Sequence, residues 1–127
     1  MTGCEWGKRV ENIVSRLGLS PPPGLVTGIC GLDGSVAYSI VELLDLVHRY
    51  LGAATDKARA ELGSSIESSL VELYRVTRGA YGKGLPRSLH EAVNRLIRGG
   101  SEEVLAELLG ALGELVESLA QRGRKTG

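Results

Sequence analysis

"SEEVLAELLGALGELVESLA", Ser101–Ala120, carries the strongest helical pattern in the chain. Leu105, Leu108, Leu112, Leu115 and Leu119 recur at steps of three, four, three and four, the spacing of a helix seam that packs on another helix. Ser101 predicts an N-cap, and Glu102 and Glu103 put negative charge in the first turn, where the helix dipole favours it. Val104, Leu109, Ala111 and Val116 add a second apolar flank. Two flanks require two sets of neighbours. One is expected to be the chain's own core and the other a second subunit, which makes Leu105, Leu109, Leu112 and Val116 candidate self-association residues.

Working outward, the pattern stays helical. Trp6, Val10, Ile13, Val14 and Leu17 predict a helix over 5–17, closed by Gly18. Asp33 predicts the cap of a helix over 34–51, with a broad stripe that includes Val36, Ile40, Leu43, Leu44 and Val47. Thr55 predicts the cap of another, running to about Thr77 or Gly79, with Ala58, Leu62, Ile66, Leu70 and Leu73 inward. Around that stripe lie Gly63, Ser64, Ser65, Ser68 and Ser69. Small residues admit a close neighbour, which offers Gly63 as a further self-association residue or else marks a tight crossing within the chain. Pro86 suits a first turn, and Leu89, Ala92, Val93, Leu96 and Ile97 point inward after it. Pro21, Pro22 and Pro23, with the glycine-broken "LVTGICGL" after them, predict a loop against the core. The fold class is therefore all-α, an up-and-down bundle of four to five helices with a Pro/Gly-rich loop after the first helix. The expected organisation is one domain over 1–121 and a flexible basic tail over 122–127.

Composition narrows the function classes. A chain of 127 residues buries roughly two-thirds of its unfolded surface, enough for one core. There is no Phe, so the core must be mainly aliphatic. Lys and Arg balance Asp and Glu, giving zero net charge and excluding a polycation. Asn, Gln, Met and Cys are scarce, which points to a thermophilic source. The charged, amphipathic start is unlike a secretory segment, and the longest apolar run, 36–51, is broken by Glu42, Asp45, His48 and Arg49. The expected location is cytoplasmic, with no membrane contact. Cys4 and Cys30 match no zinc or redox spacing. Two small thiols are expected there. The alternative is a Cys4–Cys30 disulfide, as in hyperthermophile interiors, tying the first helix to the loop.

Charge is polarised along the chain. Between Arg75 and Arg98 six positive residues face one negative, a net of plus five. The last helix supplies the balancing acid. The segment "RGAYGKGLPRSLHEAV", Arg78–Val93, reads either as an anion site or as a plain connection between helices. As a site, Arg78, Lys83, Arg87, Arg95 and Arg98 would hold a nucleic-acid backbone or another polyanion. Its glycine and lysine spacing does not fit a phosphate-binding loop, and no strand precedes it.

Catalytic patterns are thin. Glu42, Asp45 and His48 step by three, which is half of a carboxylate-bundle metal site, but no second acid-x-x-His matches it. An Asp45–Arg49 surface pair explains those residues more simply. No serine sits in a nucleophile elbow. The expectation is a non-enzymatic helical protein, without cofactor or metal, acting through protein contacts as a homodimer. The alternative is a nucleic-acid-binding or regulatory factor using Arg75–Arg98.

Overall fold

The computed structural model describes residues 4–100 and 102–126, with side chains described for 4–100 and 103–121. The expected cap at Ser101 lies outside the described residues. Among them the fold is all-α: α1 (Glu5–Arg16), α2 (Pro23–Gly28) with a 3-10 turn at Ile29–Gly31, α3 (Gly34–Leu51), α4 (Asp56–Tyr81), α5 (Arg87–Ile97) and α6 (Glu102–Thr126). The helices are six, rather than four to five. None is long and apolar enough to cross a membrane among the described residues.

Local chemistry sets the helix ends. The Gly18 N–H donates to the Ser15 carbonyl and the Leu19 N–H to the Val14 carbonyl. This double closure needs a left-handed residue, and Gly18 has φ 79°. Gly99, at φ 100°, ends α5 the same way. Asp33 and Thr55 accept from the Ser35 and Ala58 N–H groups and start α3 and α4 as expected. Ser35 bonds through both its hydroxyl and its N–H, and so holds the Asp33 carboxyl below its ordinary value of 3.8.

The extra helix falls where a loop was expected. Pro23 presets the backbone of the first turn of α2, where a missing N–H costs nothing. Leu25 and Ile29, four apart, are both fully buried. Gly24 and Gly28, also four apart, are not breakers here. A Cβ on Gly24 would come within 2.6 Å of Glu117 Oε2, and one on Gly28 would overlap Val116. These glycines let α2 lie directly on α6.

The same placement corrects the reading of the cysteines as free thiols. With α2 helical, the turn at Ile29–Gly31 returns beside the start of α1. Gly7 permits that approach, because a Cβ there would sit 2.9 Å from the Val26 carbonyl oxygen. Cys4 and Cys30 come to a Cα separation of 5.6 Å and form a disulfide. Cys4 is also the N-cap of α1, its sulfur accepting from the Gly7 N–H.

The core is aliphatic, as the absence of Phe requires. α3 packs on α4 and α1, while α6 packs on α5 and α2. Tyr50, buried at the end of α3, donates to the Ile97 carbonyl at 3.1 Å and ties α3 to the end of α5. α6 presents nine buried apolar residues from Val104 to Leu119, each worth roughly 1.5–3 kcal/mol for the larger side chains. Its helix continues through the expected tail to Thr126.

Candidate contact face on α4 and α5

α4 is built with two unlike faces. Ile66, Leu70, Leu73 and Thr77 are buried against the core, as their three- and four-residue steps predict. A flanking face carries Ala60, Ser64, Glu67, Val71, Tyr74 and Arg78, all exposed. These also step by four and three, so they form a second continuous stripe. Val71 is 66% exposed and Tyr74 43%. With the adjoining α5 they border a groove of about 330 Å³, lined by Leu70, Val71, Tyr74, His90 and Val93.

The segment Arg78–Val93 serves this face as a connection. α4 runs to Tyr81, past the expected end near Thr77 or Gly79, because Tyr81 is anchored: its hydroxyl accepts from the Asp33 N–H at 2.9 Å. Gly82, at φ 70°, then stops the helix. A Cβ on Gly84 would lie 3.3 Å from the Tyr74 ring, so this glycine leaves room for the ring to lean on the loop. Lys83 donates to Ser118 Oγ at 2.6 Å and pins the loop to α6.

The five basic candidates do not gather into one patch. Arg78, Lys83 and Arg87 surround the loop, while Arg95 and Arg98 lie at the far end of α5, roughly 12 Å along its axis from Arg87. Arg95 pairs with Glu107 of α6 at 2.7 Å, and Ser88 donates to Glu114. Glutamates of α6 thus interleave with the basic residues of α5. Arg75 pairs within its own helix with Glu72, whose hydrogen bond and charge raise the guanidinium's pKa above its usual range.

In comparisons with known proteins, no family model matches this chain, no curated protein matches its sequence and no solved structure matches its fold. Its function must be argued from its own residues.

The self-association residues named on α6 prove to be interior. Leu105, Leu109, Leu112 and Val116 are buried within the single chain, and Val104 is only 8% exposed. Both apolar flanks of α6 are covered by this chain's own α2, α5 and core, so they offer no surface to a second subunit. Gly63 is also buried: a Cβ there would meet Ile97 and Tyr50 at 3.6 and 3.7 Å. The small residue marks the crossing within the chain. Sequence reasoning missed Val71. The second stripe on α4 was the signal available, lying beside the inward one.

Elsewhere the surface is mixed. A cleft of about 410 Å³ between α1 and α3 is bordered by Arg9, Arg16, Tyr38, Glu42, Asp45 and Arg49. Asp45 pairs with Arg49 at 3.1 Å and Arg9 with Glu5 at 3.4 Å. Trp6 meets Tyr38 edge-on, with Arg9 over its ring. Among the described residues no three His, Cys, Asp or Glu side chains are grouped to hold a metal ion.

Proposed function

We propose that this chain is a non-enzymatic helical module, up-and-down in its long helices, that works through protein contact and self-associates through the outer face of α4 and the groove beside α5. One observation carries this reading. Val71 and Tyr74, two of the four large apolar side chains exposed among the described residues, stand together on one stripe over an apolar groove. Aromatic anchors beside an apolar recess are the usual centre of a protein interface. In the cleft between α1 and α3, by contrast, Asp45 is taken up by Arg49, and no metal-holding group of His, Cys, Asp or Glu lies among the described residues. Composition supports a cytoplasmic protein of a hot environment, a setting in which an internal disulfide persists.

The alternative, nucleic-acid binding through Arg78, Lys83, Arg87, Arg95 and Arg98, has weaker support. Lys83 and Arg95 are engaged with α6, Arg78 and Arg87 flank the loop between α4 and α5, and Arg98 lies at the far end of α5.

Sedimentation equilibrium tests the main reading. The apparent mass is expected to rise with concentration toward twice 13.5 kDa, and Val71→Asp is expected to hold the chain at monomer mass. A wild-type monomer throughout the high micromolar range would refute self-association.

A further inference from the structure

The stripe on α4 has an internal symmetry. Glu67, Val71, Tyr74 and Arg78 lie within an arc of about 60° at 100° per residue. Read forward they are acid, aliphatic, aromatic, base. Read backward they are base, aromatic, aliphatic, acid. The Glu67–Arg78 and Val71–Tyr74 pairs share one midpoint along the helix. An antiparallel copy of the same helix, related by a two-fold axis at that midpoint, therefore sets Glu67 against Arg78 twice and Val71 against Tyr74 twice. Both ends are unspent: neither Glu67 nor Arg78 has an ion-pair partner among the described residues, whereas Arg75 is held by Glu72. Ser64 and Ala60, the next residues of the stripe, are small and leave the second copy room to lie close.

We infer that the occupant of this face is a second copy of the chain, docked antiparallel along α4, with Val71 and Tyr74 at the centre and Glu67–Arg78 pairs at both edges. The inference rests on the self-association reading above and adds the register. The Tyr74 ring lies beside the loop at Gly84. Its neighbour His90, on α5, borders the groove. A single helix pair is a small interface, so the dimer is expected to be weak, with Kd on the order of tens to hundreds of micromolar.

A charge-swap cycle tests the register. Glu67→Arg and Arg78→Glu each place like charges at both edges and are expected to weaken dimerisation about tenfold or more in sedimentation equilibrium. The double variant exchanges the two ends and is expected to return to within about threefold of wild type. Both positions are on the surface, and a thermal melt of each variant checks that the fold is kept. Restoration by the double variant supports the register. A wild-type dimer that neither single reversal weakens, or that the double variant fails to restore, overturns this register while leaving self-association standing. A wild-type monomer overturns both.

Discussion

α4 and α6 are nearly equal in length, 26 and 25 residues, and opposite in what they leave outside. α6 is the more apolar, with five leucines in a seam and a second flank beside it. All of that surface is inside one chain, because α2 lies on one flank and α5 on the other. α4 is polar and rich in small residues, yet it presents Val71 and Tyr74 to solvent. The apolar content of a helix thus measures how many neighbours it needs. It does not say whether they come from the same chain. The bare face belongs to the helix with fewer apolar residues, because its neighbours stop at one side.

This contrast can be broken most severely at the centre of α6. Leu112 is fully buried, so Leu112→Ala should cost about 2–5 kcal/mol of unfolding free energy, measured by urea titration. The next effect is expected at the cover over the other flank of α6. The Cys4–Cys30 disulfide spans 26 residues and ties α1 to the turn that follows α2. Opening it should lower stability by roughly 3.5 kcal/mol on loop entropy alone, read as a lower denaturation midpoint in a thiol reductant. The smallest effect is expected on α4. Val71→Ala removes a side chain with little packed around it and should change monomer stability by no more than about 0.5 kcal/mol. Equal costs at Leu112 and Val71 would erase the distinction between the two helices.

Much of the fold was legible in the residues. Proline and glycine punctuation, the caps at Asp33 and Thr55 and the three-four stripes gave the helical class and the ends of α1, α3 and α5. α2 was not legible because Gly24 and Gly28 look like breakers in sequence. Their role as contact points exists only once Glu117 and Val116 stand opposite them. The disulfide depended on the same hidden helix, since an extended loop need not bring Cys30 back to Cys4. α4 outran its expected end because Tyr81 finds a distant partner in the Asp33 N–H, which local propensity does not register. The candidate site was legible as a pattern and misassigned in space. Leu105, Leu109, Leu112, Val116 and Gly63 satisfied a contact-face pattern and are interior. Glu67, Val71, Tyr74 and Arg78 satisfy one too, and they are outside.

The open surface lies on α4 and the closed one on α6. Hydroxyl-radical footprinting of the chain at low and high concentration tests it directly. Val71 and Tyr74 should be strongly oxidised in dilute solution and protected on concentration, while Val104, Leu105 and Val116 should be unreactive in both. Oxidation of those α6 residues in dilute solution, with Val71 and Tyr74 indifferent to concentration, would contradict it.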